Sequence, residues 1–176
     1  MDYLISNIWR YVNTAVFGTA EYQTLCVLIG LILLIVFFIP GREIGQKVLI
    51  AGLLIYLFLV FSSTVMIRVG NLDDPLKFIA PFTEYRSAFT LGGFKYDIVE
   101  NILLFLPAGV LMSVAGDYKH WFLPIIYLSL FSCCIELLQG LLKVGYTEFD
   151  DWFNNTLGAA IGVFIPFMLR KMQKKS

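Results

Sequence analysis

The sequence predicts an all-α fold, a polytopic membrane helical bundle of about five transmembrane helices with the N-terminus outside and the C-terminus cytoplasmic. Three observations lead there. Of the 176 residues, 59% are hydrophobic and 15% charged, with a mean hydropathy of +0.78, well outside the usual balance of a water-soluble chain. The apolar residues are gathered into long blocks instead of alternating with polar ones. Basic residues crowd the short linkers and the tail on one side of these blocks. One membrane domain is expected over residues 1–176.

Taken in order, Leu4, Ile5, Ile8, Trp9, Val12 and Val16 recur at helical spacing, with Asn7, Arg10 and Asn13 largely opposite. This predicts a short N-terminal interfacial helix, with an ordinary frayed terminus as the alternative. No cleavable signal peptide is expected, because the opening stretch lacks a basic start followed by an apolar core. The apolar blocks cover residues 22–40, 48–67, 98–115, 121–142 and 152–169, each near the roughly 20 residues that cross a bilayer. The first two are almost uniformly aliphatic and aromatic and read as scaffold. The last three carry Glu100, Asn101, Glu136, Gln139, Asn154 and Asn155, so function is expected there. Their weaker hydropathy leaves open that one is re-entrant.

Orientation follows from the cations. Arg42, Lys47, Lys119, Arg170, Lys171, Lys174 and Lys175 occupy short stretches on one side. The much longer opposite side carries Arg10, Arg68, Lys77, Arg86, Lys95 and Lys143. Loop 68–97 mixes Phe78, Phe82, Tyr85, Phe89, Phe94 and Tyr96 with Lys77, Arg86 and Lys95. It is expected to rest on the outer leaflet, with its cations available to phosphate groups; a merely solvated loop with aromatic anchors is the alternative.

Cys26, Cys133 and Cys134 all fall inside apolar blocks, which argues against a disulfide framework. His120 has no Cys or His at ligand spacing, so neither a metal site nor a cofactor is expected.

Polar residues of the last three spans converge. Glu100 and Asn101 lie near the outer end of the third, ahead of Pro107, Ala108 and Gly109, which invite a kink and a close helix approach. Ser129, Ser132, Glu136 and Gln139 step along one face of the fourth. Asp150 and Asp151 precede the fifth, where Asp151, Asn155, Gly158 and Gly162 share a face and the glycines have G-x-x-x-G spacing. Either aspartate also suits a helix cap. Under the topology above, these groups share a depth near the outer surface. A structural network of interhelical hydrogen bonds would use similar residues.

Four segments in the same order resemble the VanZ-like family of bacterial membrane proteins: I-A-P-F ending at Phe82, E-N-I-L-L-F-L-P-A-G from Glu100, I-E-L-L-Q from Ile135, and T-E-F-D-D-W-F-N-N-T-L-G from Thr147. The likeness runs over roughly 79–162, leaving out the first two spans. Many members of that family carry an arginine just before the acidic loop. Here residues 144–146 have none, and Lys143 is the nearest cation. The resemblance implies lowered susceptibility to glycopeptide antibiotics such as teicoplanin, in a multi-pass protein of the bacterial plasma membrane.

The reading favoured is an outer-leaflet pocket for a lipid or lipid-linked headgroup, with Arg86, Asn101, Glu136, Gln139, Asp151 and Asn155 as ligand contacts. Expected partners are membrane lipids, lipid-linked cell-wall intermediates or the glycopeptides themselves, and not nucleic acid. Two alternatives stay open. One is an intramembrane enzyme using Glu136 or Asp151 as acid or base. The other is a proton- or ion-coupled transporter, since intramembrane acids mark such pathways.

Overall fold

A computed structural model describes residues 21–66, 78–83, 85–87, 96–116 and 120–173. The expected interfacial helix, loop residues 67–77 and 88–95, and Lys119, Lys174 and Lys175 lie outside the described residues. The chain divides into two compact units, Met1–Ile67 and Arg68–Ser176.

The first unit holds α1 (Glu21–Phe37) and α2 (Ile44–Phe61). Gly41, at φ 70°, turns the chain between them. Lys47 Nζ donates to the Phe37 carbonyl at 2.6 Å, placing a cation on a carbonyl that the end of α1 leaves without an intrahelical donor. Beyond Phe61 the chain widens into a π turn, Ser62–Met66. There the Ser63 and Thr64 hydroxyls donate back to the Val60 carbonyl at 3.0 and 2.8 Å. Ile44–Val65 is long and apolar enough to cross a membrane. The 17 residues of α1 give about 26 Å of helix, somewhat short of the ~30 Å hydrocarbon core.

The second unit contains β1 (Phe78–Ile79), α3 (Tyr96–Ala115), α4 (Leu123–Leu141), β2 (Thr147–Glu148) and α5 (Phe149–Gln173). All three helices are long and apolar enough to span. Four helices among the described residues therefore qualify, and the architecture is the all-α membrane bundle that the composition predicts. Its surface is that of a protein in lipid: Ile126, Leu130, Leu137 and Leu141 of α4 face outward, while Ser132, Glu136 and Gln139 are buried.

Local chemistry sets the ends. Pro124 stands in the first turn of α4, where its missing N–H costs nothing. α4 closes with Lys143 at φ 55°, Lys143 N–H on the Gly140 carbonyl at 3.1 Å and Val144 N–H on the Gln139 carbonyl at 3.0 Å. This is a Schellman closure with lysine where glycine is usual. α3 continues through Pro107, and α5 through Pro166, as single helices. α5 starts at Phe149, ahead of the expected 152, so Asp150 and Asp151 lie inside its first turn. β1 and β2 pair in parallel, Phe78 with Thr147 and Ile79 with Glu148. Two residues are too few to carry the period-two pattern that announces a strand.

Candidate functional site

α3 and α5 run parallel, with their backbones in contact. A methyl group at Gly158 would stand 2.1 Å from the Ile102 carbonyl oxygen, one at Gly162 2.1 Å from that of Leu106, and one at Gly109 2.4 Å from that of Ala159. The small residues thus do what their spacing predicts and remove the side-chain layer between the helices. At the starting ends of the same pair, Asn101 Nδ2 donates to Asp151 Oδ1 at 2.6 Å.

α4 meets α5 through its polar stripe. Asn155 Nδ2 donates to Ser132 Oγ at 2.9 Å. Trp152 Nε1 reaches Ser129 Oγ at 3.1 Å and its carbonyl at 3.2 Å, while Thr156 Oγ1 lies 3.0 Å from Ser129 Oγ. One turn further along α4, Glu136 is only 5% exposed. Its Oε2 accepts the Glu148 backbone N–H at 3.0 Å, and Thr147 Oγ1 donates to its carbonyl at 3.2 Å. Gly140 makes room for that threonine, since a Cβ there would come within 2.1 Å of Thr147 Oγ1. Glu136 therefore fixes β2.

β1 and the turn after it are held by α5. Asp150, 2% exposed, accepts the Phe82 backbone N–H through Oδ1, and Asn154, fully buried, accepts the Tyr85 hydroxyl through Oδ1. The Phe82 ring packs at 5.3 Å from Phe149 and 6.0 Å from Phe153, and Tyr85 at 6.2 Å from Phe153. These edge contacts seat the aromatic loop on the start of α5.

Of the residues singled out from the sequence, Asn101, Glu136, Gln139, Asp151 and Asn155 gather at one end of this unit. Gln139 is buried on the α4 face that also carries Ser132 and Glu136. Arg86 is exposed on the helical turn whose N–H bonds the Phe82 carbonyl at 3.0 Å. Asp150, Asn154, Phe82 and Tyr85 were named in the sequence but not among the candidate ligand contacts. The signal was present as two matched spacings, an aspartate and an asparagine four apart facing two aromatics three apart. Neither pair stands out within one segment alone.

Two amides at this end are incompletely bonded. Asn154 Nδ2 and Asn155 Oδ1 are buried without a hydrogen-bond partner among the described residues, as is Glu100 Oε1. Exchanging O and N in Asn155 only moves the orphan to the other atom. Among the described residues, no group of three His, Cys, Asp or Glu side chains is placed to hold a metal ion. At the opposite end, Arg170 Nη2 caps the Ser113 carbonyl at 3.0 Å, and Trp121 packs on Phe167 at 5.5 Å.

Helices long and apolar enough to span, with apolar exteriors, and a buried polar network gathered toward one end of α3, α4 and α5 define a helical membrane protein. The chain belongs to the VanZ/LLP1 family, which it matches over residues 24–170. That match reaches back over α1 and α2, beyond the motifs at 79–162. The chain is 28% identical to Protein VanZ of Enterococcus faecium over 112 residues, 62% of this chain and 64% of that protein. The alignment thus spans somewhat less than two thirds of that relative. No solved structure matches the chain.

Proposed function

We propose that this protein lowers susceptibility to glycopeptide antibiotics such as teicoplanin from the bacterial plasma membrane, and that its polar end faces outside and holds a lipid or lipid-linked headgroup. Family membership and the likeness to Protein VanZ support the first part. The Asn154–Asn155 pair carries the second. An interhelical hydrogen bond within a membrane contributes on average about 0.6 kcal/mol. A buried polar atom left unmatched costs about 1–3 kcal/mol. Two amides that each leave one atom orphaned are therefore a poor choice as helix glue alone. A headgroup with a phosphate or carbonyl oxygen for Asn154 Nδ2 and a hydroxyl or amide hydrogen for Asn155 Oδ1 would satisfy what the helices do not. Glu136 and Asp151 serve as acceptors for the Glu148 N–H and the Asn101 amide, roles that suit a binding site more than acid–base chemistry.

The test is teicoplanin susceptibility of a sensitive bacterium expressing the full chain. Glu136→Gln and Asp151→Asn keep the side-chain volumes and an acceptor oxygen while removing the ionisable carboxyl. Both are expected to reduce protection at unchanged membrane levels. Full protection by both variants would remove the site from the mechanism.

A further inference from the structure

We infer that Asp150 and Asn154 are positioning residues that hold Arg86 for a phosphate group of the bound headgroup. This rests on the headgroup reading above and narrows it to a phosphate-bearing ligand.

The two side chains lie one turn apart on the same face of α5, at 2% and 0% exposure. Each takes a hydrogen from the turn that carries Arg86: Asp150 from the Phe82 backbone N–H, and Asn154 from the Tyr85 hydroxyl. Phe82 sits at φ 60°, a left-handed conformation that a bulky side chain does not hold without an external constraint. The buried carboxylate on its N–H is that constraint. Upstream, Phe78 and Ile79 are paired with Thr147 and Glu148, and the Glu148 N–H is in turn held by Glu136. The segment is therefore pinned at β2, at Asp150 and at Asn154. Arg86 directly follows Tyr85, and its N–H closes the turn on the Phe82 carbonyl at 3.0 Å. A pinned turn ending in an exposed arginine is a preorganised cation. Its planar guanidinium suits two oxygens of a phosphate, and with the backbone already fixed, less freedom is lost on binding.

The full chain in phosphatidylcholine nanodiscs is titrated with two probes, phosphatidic acid and geranylgeranyl diphosphate. In parallel, hydrogen exchange is followed in the peptide containing Phe82. Arg86→Gln should weaken binding of at least one probe by roughly tenfold. A response to both points to a membrane phospholipid, and a response to the diphosphate alone to a lipid-linked intermediate. Asp150→Ala should speed exchange at Phe82 and weaken binding comparably, yet add nothing in the Arg86→Gln background. Asp150→Asn keeps an acceptor and should restore both readouts. If Asp150→Ala does not fold, Tyr85→Phe, which deletes only the hydroxyl given to Asn154, carries the same comparison. Additive losses, or faster exchange at Phe82 with unchanged binding, overturn the inference, as does an Arg86→Gln protein that binds both probes normally. The functional reading fails separately, through teicoplanin protection that survives Glu136→Gln and Asp151→Asn.

Discussion

Gly158→Ala puts a single methyl group into one of the two closest backbone contacts between α3 and α5. The added carbon would stand 2.1 Å from the Ile102 carbonyl oxygen and 2.9 Å from its carbonyl carbon. A carbon meets a carbonyl oxygen comfortably at roughly 3.3 Å, so α3 and α5 would have to separate by about 1.2 Å. No side chain can turn aside, because the obstacle is backbone. Overpacking of this kind costs about 1–3 kcal/mol, and an obstacle that cannot yield puts the cost at the upper end. Alanine returns about 0.8–1 kcal/mol of helix propensity. The expected net effect is a destabilisation of about 2 kcal/mol. Gly52→Ala in α2 is the control, since nothing lies within 4 Å of its Cβ and only the propensity gain remains. Reversible unfolding of the purified protein in mixed detergent micelles, followed by circular dichroism, measures both. If Gly158→Ala gained stability as Gly52→Ala does, the backbone contact would not exist as described.

Lys143→Gly relieves a left-handed backbone at the end of α4 and is expected to raise stability by about 1 kcal/mol in the same unfolding assay. Gly140→Ala faces only the Thr147 hydroxyl, which can rotate at the expense of its bond to the Glu136 carbonyl, so its cost should stay near 1 kcal/mol, below that of Gly158→Ala. Ser129→Ala removes the hydroxyl shared by Trp152 and Thr156 while leaving the Ser129 carbonyl for the indole; a loss of about 1 kcal/mol is expected, with a detectable change in tryptophan emission. Asn155→Ala deletes both the Ser132 bond and the orphaned oxygen, so stability should move by less than about 1 kcal/mol while teicoplanin protection falls; a large stability loss with protection retained would make Asn155 helix glue.

Four of the five expected spans were legible because each is a long block with one dominant property, and α3 ends at Ala115 as the hydropathy indicates; the first block gives α1, shorter than the other four helices. The α3–α5 contact was legible too, since Gly109, Gly158 and Gly162 advertise a small-residue face. The side chosen at the start of α5 was not. Asp151 attracted attention through its alignment with Asn155, and it does meet Asn101. Asp150, for which as for Asp151 a cap was the alternative, is the more buried acid and holds the loop. Its partner is a backbone N–H at Phe82, and no sequence pattern marks which N–H will face inward in a left-handed turn. The pairing of β1 with β2 escaped for a similar reason, because it joins residues 69 apart through two positions each.

The packing face and the polar end depend on one another. α3 and α5 touch with Ile102 on Gly158 and Leu106 on Gly162, a constant register repeated every four residues. A slip to the next equivalent contact would move one helix by four residues, about 6 Å along its axis. Asn101 would then lose Asp151, since a hydrogen bond tolerates only a few tenths of an ångström of stretch. The glycines accept only one depth because each is matched to a particular carbonyl. That same depth sets Asp150 and Asn154 on the first two turns of α5 opposite the loop. A costly polar cluster can stay ordered at one end of these helices because a close small-residue contact farther along them fixes where its members meet.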